Sequence, residues 1–281
     1  MKETRITMST YTVATSFGDI PVTVSERGAG GPVLLLHGGA GPDSVTGFAG
    51  QLAARFPVRV LTPVHPGFGG TPRPSSLDSI GKLAGVYAGL LAELDLTGVT
   101  VAGSSIGGWI AAELALAAPD RVGRLVLIDA AGLDSASHPI VDFFALKPAE
   151  VAELSWADPA GHEIDVAAMT DAQRAVFAGN RAALLAYGGA SMADASLAGR
   201  LAAVTAPTLV IWGEADRIVT PGFGKEYAAA IPGASFRLVP RAGHLPQLEN
   251  PEAVLALFAE LSRANSVARD SRTTVTRIWP G

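Results

Sequence analysis

The segment at residues 99–114, which carries most of the evidence for the fold, reads V-T-V-A-G-S-S-I-G-G-W-I-A-A-E-L. Its first half is a short apolar run typical of a strand, whereas its second half repeats apolar residues at helical spacing. The join between them, Gly103 to Gly107, has almost no loop and fits the pattern G-x-S-x-G. A turn of this pattern holds a serine hydroxyl clear of the edge of a sheet, so Ser105 is the candidate nucleophile.

The two glycines are explained by the tightness of that turn. A chain that passes this sharply from strand to helix brings backbone against backbone on both sides of Ser105, and glycine removes the Cβ atoms that would collide. Ser105 itself is expected in an unfavourable backbone conformation, a strain usually tolerated only at functional sites. The following helix presents free N–H groups and its positive dipole end, so the amide of Ile106 is a predicted donor to a negative charge formed beside the serine.

Composition bounds the class of protein. The chain has 281 residues, is 48% hydrophobic and has a formal net charge of -5 without a cluster of Lys or Arg, so a full core and no nucleic-acid partner are expected. It has no cysteine, which excludes disulfides, thiolate metal ligands and a cysteine nucleophile. The first residues lack the apolar segment of a secretory signal and no run is long enough to span a bilayer. We therefore expect a cytoplasmic protein with no membrane partner.

Strand and helix patterns alternate along most of the chain. Besides the strand of the opening stretch, strands are predicted at 11–16, 20–26, 32–36, 58–62, 124–128, 207–212 and 235–239. Besides its helix, helices are predicted at 46–56, 76–95, 222–230 and 251–261. This alternation predicts an α/β fold with a mostly parallel eight-stranded sheet flanked by helices.

The alternation breaks at residue 132. From there to residue 203 the sequence is Ala-rich and helical in pattern, with several aromatic residues and no convincing strand. We predict an inserted helical cap at 132–203 and a core formed by 1–131 and 204–263. The polar, aperiodic segment 264–281 is predicted to be a C-terminal tail.

A catalytic constellation can be assembled from three strand ends. A serine hydroxyl needs a base to remove its proton, and the base needs a third group that fixes its tautomer. His244 follows the last predicted strand and Asp216 follows the strand before it, so both belong to loops at the same sheet edge as Ser105. The order Ser, Asp, His, each after a different strand, is the one expected with a G-x-S-x-G turn. Asp129, at the end of the strand before the cap, is the alternative acid.

Taken together, these segments resemble the α/β-hydrolase family from residue 12 to about residue 261. The motifs that carry the resemblance are H-G-G at 37–39, G-F-G-G-T at 67–71, G-S-S-I-G-G at 103–108, G-E-A-D at 213–216 and G-H-L-P-Q-L-E-N-P at 243–251. The resemblance implies the α/β-hydrolase fold with an inserted cap. It also implies that the amide of Gly39 or Ala40 is the second oxyanion-hole donor beside Ile106, and that no metal and no organic cofactor takes part.

The resemblance also narrows the reaction. Relatives that cleave halides or epoxides carry aspartate at the position of Ser105, so these two activities are disfavoured. The H-G-G-x-G-P and S-x-G-G elements are similar to those of prolyl aminopeptidases and of hydrolases that cleave carbon–carbon bonds in ring-fission products. The latter group usually has Trp directly after the catalytic histidine, where this chain has Leu245. His65 stands where the family often has Asp, so that position offers no ion pair at neutral pH.

The predicted function is therefore a serine hydrolase that cleaves a carboxylic ester or related acyl compound through an acyl-enzyme. A carbon–carbon bond hydrolase or a lyase that uses the same triad is one alternative, and a ligand-binding protein without turnover is another. We expect a small, largely apolar substrate and leave a homodimer open. The candidate pocket residues are His37, Phe48, Trp109, Phe143, Phe144 and Leu245.

Overall fold

The computed structural model describes residues 6–261. In chain order the strands are β1 (Thr7–Thr15), β2 (Gly18–Gly28), β3 (Gly31–Leu36), β4 (Val58–Pro63), β5 (Val99–Ser104), β6 (Val122–Ile128), β7 (Gly132–Leu133), β8 (Ala193–Asp194), β9 (Thr208–Gly213) and β10 (Ser235–Val239). The helices are α1 (Asp43–Arg55), α2 (Ile80–Glu93), α3 (Ile106–Ala117), α4 (Pro148–Ser155), α5 (Asp171–Gly188), α6 (Leu197–Leu201), α7 (Pro221–Ala230) and α8 (Pro246–Glu249). Residues 251–261 form a further helix, α9.

The main sheet has eight strands in the order β1-β2-β4-β3-β5-β6-β9-β10. β2 pairs antiparallel with β1 and with β4, and every other pair is parallel. The predicted eight-stranded, mostly parallel sheet is thus confirmed. Because the parallel strands share one direction, the loops after β5, β9 and β10 leave the sheet at the same edge, where ligands bind in folds of this class.

Helices cover both faces of the sheet. In β3, Leu34 and Leu36 belong to one buried cluster, and Val33 and Leu35 belong to another. The first cluster includes residues of α2, α3 and α7, whereas the second includes residues of α1 and α9. A strand that is buried on both faces must be apolar at every position, which explains the unbroken run V-L-L-L.

The predicted helices differ from the observed ones mainly at their ends. The pattern at 76–95 predicts a helix that starts too early, because the side chain of Ser79 caps α2 by accepting the N–H of Lys82 at 3.4 Å. The helix predicted at 46–56 begins earlier, directly after Pro42. Helix ends depend on single capping bonds, which apolar periodicity does not report.

The segment predicted as a cap contains α4, α5 and α6. It also contains β7 and β8, which pair in parallel at the two ends of the segment and which the pattern did not predict. A strand of two residues has no period to detect. The boundaries at 132 and 203 remain predictions, and the predicted tail at 264–281 lies outside the described residues. No helix among residues 6–261 combines the length and apolar character needed to cross a bilayer.

Candidate active site

Ser105 lies between β5 and α3 with φ 56° and ψ -121°. Its N–H donates to the carbonyl of Ile128 at 2.9 Å and its carbonyl accepts the N–H of Ala131 at 3.2 Å, so the turn is tied to the end of β6. A Cβ atom on Gly103 or Gly107 would overlap backbone atoms of neighbouring segments. The strained backbone expected from the G-x-S-x-G pattern is therefore observed, with the serine in a conformation that side chains rarely adopt.

Asp216 and His244 form a hydrogen-bonded pair. His244 Nδ1 lies 2.8 Å from Asp216 Oδ2, and the other oxygen of Asp216 accepts the backbone N–H groups of Ile218 at 2.8 Å and Val219 at 3.0 Å. An ionised carboxylate only accepts hydrogen bonds, so Nδ1 carries the ring proton and Nε2 is left as the basic nitrogen. The side chain of His244 is 12% exposed and that of Asp216 is fully buried.

The loops of the pair and of Ser105 meet at one edge. Gln247, three residues after His244, donates from Nε2 to the hydroxyl of Ser104 at 3.3 Å. Within residues 6–261, no hydrogen bond joins the hydroxyl of Ser105 to the ring of His244. Catalytic hydrogen bonds of this type are often long until substrate binds, so the contact between Ser105 and His244 stays a prediction.

The glycine loop after β3 lies directly against Ser105. A Cβ atom on Gly38 would be 3.3 Å from the Cβ of Ser105. Across residues 6–261, the N–H groups of Gly39, Ala40 and Ile106 donate to no protein acceptor. Such N–H groups can bind a negative charge that forms on the substrate.

Two buried histidines hold this glycine loop. The backbone N–H of His65 donates to Nε2 of His37 at 3.1 Å, so His37 carries its proton on Nδ1, which bonds the carbonyl of Gly38 at 2.8 Å. His65 Nε2 in turn donates to the carbonyl of His37 at 3.0 Å, and its Nδ1 accepts the hydroxyl of Tyr87. Burial lowers the pKa of His37 to about 4, and burial together with the adjacent His37 lowers the pKa of His65 well below its usual value. Both rings are therefore neutral, hydrogen-bonded supports of the loop.

The first three predicted pocket residues are buried. His37 lies below the glycine loop, and Trp109 is 4% exposed within the core cluster that α3 shares with the cap segment. Phe48 is 1% exposed and packs edge-to-face on Phe258 of α9, with the ring centroids 5.7 Å apart. The structure therefore places Phe48 in the core between α1 and α9 rather than with Ser105.

The other predicted pocket residues are half-buried. Phe143 and Phe144 contact each other in the segment before α4, with ring centroids 4.5 Å apart, and the guanidinium of Arg181 lies over the Phe144 ring. Leu245 directly follows His244 and is also half-buried. Their part in substrate binding stays a prediction.

Glu249 is a site residue that the sequence reasoning missed. Its Oε1 accepts the N–H of Gly243 at 2.7 Å, and its Oε2 accepts the N–H of Ala157 at 2.8 Å. One carboxylate thus joins the loop of His244 to the chain that follows α4. In the sequence, the position of Glu249 within the G-H-L-P-Q-L-E-N-P motif could have drawn attention to it. The motif does not predict which N–H groups its carboxylate accepts.

The end of α4 also bonds the loops of Asp216 and His244. The carbonyl of Ser155 accepts the N–H of His244 at 2.6 Å, and the carbonyl of Leu154 accepts the N–H of Arg217 at 3.1 Å. These carbonyls belong to the last turn of the helix, where no helical donor remains for them. The cap segment is therefore attached to the backbone of the residue after Asp216 and of His244 itself.

Asp129 lies next to the Asp216–His244 pair. One oxygen of each carboxylate and one ring nitrogen of His244 lie within 4.8 Å of one another. His244 bonds Asp216 rather than Asp129, the alternative acid. Carboxylates and imidazole also occur in metal sites, but N–H donors already occupy both oxygens of Asp216 and Oδ1 of Asp129, so we assign the group to hydrogen bonding.

Comparison with known proteins gives the family. Residues 33–257 match the sequence model of the alpha/beta hydrolase family. The chain is 32% identical over 259 residues to the 2-hydroxy-6-oxononadienedioate/2-hydroxy-6-oxononatrienedioate hydrolase of Cupriavidus pinatubonensis, covering 82% of this chain and 86% of that protein. It is 30% identical over 253 residues to the 2-hydroxymuconate semialdehyde hydrolase of Pseudomonas putida, covering 81% and 85%. The solved structure of a thermophilic esterase from Thermogutta terrifontis is 27% identical, with a TM-score of 0.65 and coverage of 92% of this chain and 98% of that chain.

The chain therefore belongs to the alpha/beta hydrolase family. The match begins inside β3, covers all strands from β4 to β10 and includes the motifs that carried the resemblance. Both the predicted family and the predicted α/β-hydrolase fold are confirmed. Its relatives are named for more than one substrate, so the bond that this chain cleaves has to be argued from the site.

Proposed function

We propose that this protein is a serine hydrolase in which Ser105 is the nucleophile, His244 the general base and Asp216 the acid that orients it. The observation that carries the proposal is the His244–Asp216 bond of 2.8 Å, which leaves Nε2 basic at the edge where the strained Ser105 lies. This combination of nucleophile, base and orienting carboxylate is the arrangement that activates a serine hydroxyl.

The reaction proposed is acyl transfer to water. Ser105 Oγ attacks the carbonyl carbon while Nε2 of His244 takes its proton. The tetrahedral intermediate collapses when the leaving group takes that proton from His244, which leaves an acyl-enzyme. His244 then takes a proton from water, the resulting attack forms a second tetrahedral intermediate, and the proton returns to Ser105 as the acid is released.

The oxyanion hole is assigned to the N–H of Ile106 and that of Gly39 or Ala40. These N–H groups donate to no acceptor in the described part of the chain, which supports the assignment, as does the contact between the glycine loop and Ser105. In acyl transfer one such donor contributes about 10²–10³ in turnover. The glycine loop, which His37 and His65 hold in place, should therefore affect turnover as strongly as a catalytic side chain does.

An uncharged, largely apolar acyl compound fits the cap best. The cap segment has three arginines, and the guanidinium of each bonds a protein carbonyl or carboxylate oxygen: Arg174, Arg181 and Arg200. These guanidinium groups are engaged and do not offer an open site for a carboxylate of the substrate. Leu184 of α5 lies over the glycine loop, close to Gly39. We therefore place carboxylic esters ahead of anionic substrates.

Carbon–carbon bond hydrolysis is the second candidate. The two curated relatives are named for 2-hydroxy-6-oxo diacids and a semialdehyde, which contain a ketone or aldehyde rather than an ester. The same Ser–His–Asp set could act on a ketone. Leu245, in place of the Trp usual after the catalytic histidine in that group, favours the ester.

Kinetics with matched variants test the proposal. We expect wild-type protein to hydrolyse p-nitrophenyl acetate, butyrate or hexanoate, and Ser105→Ala to lower kcat/KM by about 10⁴-fold or more. Asp216→Asn should lower it by about 10⁴-fold, because the wrong tautomer of His244 is then favoured. Ser191→Ala, a change at an exposed serine, is the control.

Three outcomes would contradict parts of the proposal. Undiminished hydrolysis by Ser105→Ala removes Ser105 as nucleophile. A loss in Asp129→Asn larger than that in Asp216→Asn moves the acid to Asp129. Cleavage of a 2-hydroxy-6-oxo dienoate without turnover of any ester replaces ester hydrolysis by the second candidate.

A further inference from the structure

Asp129 is a buried acid to which the proposed reaction gives no task. It follows β6 and is fully buried. Its N–H donates to the carbonyl of Ile211 at 3.0 Å and its Oδ1 accepts the N–H of Gly213 at 2.9 Å, so both bonds reach β9. Its Oδ2 is buried and has no partner among the residues that the structure describes. A buried carboxylate oxygen without a hydrogen-bond partner is unfavourable unless it is protonated or accepts a hydrogen bond.

A second carboxyl group lies beside it and is better supplied with donors. Asp216 accepts three N–H groups, from the ring of His244 and from the backbone of Ile218 and Val219, whereas Asp129 accepts one. Hydrogen bonds to the charged form stabilise a carboxylate, and two buried negative charges within 4.8 Å destabilise each other. The negative charge therefore belongs on Asp216 and a proton on Asp129.

We propose that Asp129 is held as the neutral acid and donates a hydrogen bond to Asp216, and that this bond positions the carboxylate against His244. The proton sits on Oδ2 of Asp129 and gives that atom the partner it lacks. The bond occupies an acceptor site of Asp216 that His244 and the two backbone groups leave free. Asp129 is thus a positioning residue, and its kinetic effect rests on the function proposed above.

The charges around Asp129 agree with this assignment. Burial raises the pKa of the Asp129 carboxyl well above its usual range, and the negative charge of Asp216 raises it further. The N–H of Gly213 acts in the opposite direction, and the charge of Glu249 adds a smaller upward contribution. Among residues 6–261, the titratable groups that face Asp129 are Asp216, His244 and Glu249, from the loops and the short helix around it.

Thermal unfolding of Asp129→Asn tests the proton directly. A carboxyl whose pKa is higher in the folded chain stabilises the fold fully below its unfolded pKa, and that stability is lost as the pH rises through its folded pKa. The Asn amide has no proton to lose, can accept the N–H of Gly213, can donate to Asp216, and tolerates the φ of 44°. The Tm of this variant minus that of wild type should therefore rise from about pH 5 to about pH 8.

The exposed Asp120 provides the matched control, since Asp120→Asn makes the same chemical change at the surface. Its Tm difference from wild type should stay flat over that pH range. A flat difference for Asp129→Asn would overturn the proposal, because it would mean that Asp129 is ionised in the folded protein. This measurement needs no turnover, so it stands even if the proposed function fails.

Ester kinetics test the positioning role. Asp129→Ala removes the donor to Asp216 and should lower kcat/KM by about 10- to 100-fold, mainly through kcat. The acid limb of its pH–rate profile should move to higher pH, because Asp216 without that donor holds the imidazole proton more strongly. Asp129→Asn should keep most of the wild-type kcat/KM, and the acid limb of its pH–rate profile should lie close to that of wild type. Wild-type kinetics in Asp129→Ala, or a loss in Asp129→Asn as large as in Asp216→Asn, would overturn the proposal.

Discussion

The proposed active site has a nucleophile side and an acid–base side, and these two halves are held by different kinds of interaction. On the nucleophile side, Ser105 is fixed by close backbone packing, in which glycines leave no room for side-chain atoms. On the acid–base side, Asp216, His244 and Glu249 are fixed by hydrogen bonds between carboxylates and N–H groups. The nucleophile side depends on the absence of Cβ atoms at its glycines, whereas the acid–base side depends on the carboxylate groups that accept these hydrogen bonds.

This difference indicates how each half should fail. An added methyl group on the nucleophile side has to push β3 and α3 apart, which damages the fold itself. Replacing a carboxylate acceptor on the acid–base side leaves the backbone packing intact but displaces the ring of His244, so activity should fall more than stability. Three changes test this contrast.

The largest effect is expected for Gly107→Ala. A Cβ atom at this position would overlap the carbonyl oxygens of Leu36 and His37, at the end of β3. Because these are backbone atoms, the clash cannot be relieved by a side-chain rotation, and we expect a loss of about 3 kcal/mol or more in the free energy of unfolding. For a domain of this size that is roughly 6–12 °C in Tm.

Gly85→Ala is the matched control for that change. Gly85 lies inside α2, and a Cβ atom there would meet nothing within 4 Å. Alanine in an exposed helix interior is favoured over glycine by about 0.5–1 kcal/mol, so this variant should be as stable as wild type or more so. Equal Tm values for the two variants would remove the steric explanation of the turn.

Acidification should give the next largest effect, again on the nucleophile side. The pKa of His37 is lowered from 6.5 to about 4 in the folded protein, so between these values the unfolded chain binds a proton that the folded chain does not. Stability is therefore lost as the pH falls through this range, by roughly 3 kcal/mol for His37. Burial lowers the pKa of His65 as well, which adds to the loss in the same direction.

Thermal unfolding of His65→Gln separates this contribution. Glutamine can accept the hydroxyl of Tyr87 and donate to the carbonyl of His37 without binding a proton. The Tm of the variant should therefore fall less steeply than that of wild type between about pH 6.5 and about pH 4. His162→Gln, at an exposed histidine, should follow the wild-type curve. Parallel curves for His65→Gln and wild type would show that His65 is not a source of the acid sensitivity.

The smallest change in stability is expected on the acid–base side, for Glu249→Gln. Glutamine has one acceptor oxygen, so either Gly243 or Ala157 loses its acceptor and faces an NH₂ donor instead. We expect a loss of about 1–2 kcal/mol in the free energy of unfolding. The kcat/KM for esters should fall by roughly 10-fold, because the loop of His244 is no longer held.

Glu252→Gln is the control for Glu249→Gln. Glu252 pairs with Arg55 on the surface, where the two side chains are 72% and 50% exposed. Loss of such a pair changes stability by about 0–1 kcal/mol and should leave ester kinetics unchanged. Full activity in Glu249→Gln would show that the loop positions His244 without this carboxylate.

The sequence could predict the strand ends and therefore the nucleophile side almost completely. The period change at 99–114 and its glycines place Ser105 in a strained turn, and this is what the structure contains. Asp216 and His244 could be placed because each follows an apolar run of strand length. These inferences need only local pattern and the rule that parallel strands end at one edge.

Neither the support of the acid–base side nor the histidine support of the glycine loop could be predicted in this way. Glu249 bonds Ala157 across 92 residues, and His65 bonds Tyr87 across 22, so neither pair is visible in a local pattern. The apolar stripe of α1 predicts that Phe48 is buried. The stripe does not tell whether the Phe48 side chain lies in the core or lines a cleft. The proton on Asp129 depends on the donors around two carboxyl groups that meet only after folding.

The main-chain bonds from the last turn of α4 to His244 and Arg217 have a consequence for engineering. Grafting a relative's segment in place of residues 132–203 would exchange the predicted cap and, at the same time, the carbonyls of Leu154 and Ser155 that bond Arg217 and His244. A graft that retains 154–157 should keep turnover while its selectivity changes. One that omits them should bind new compounds without converting them.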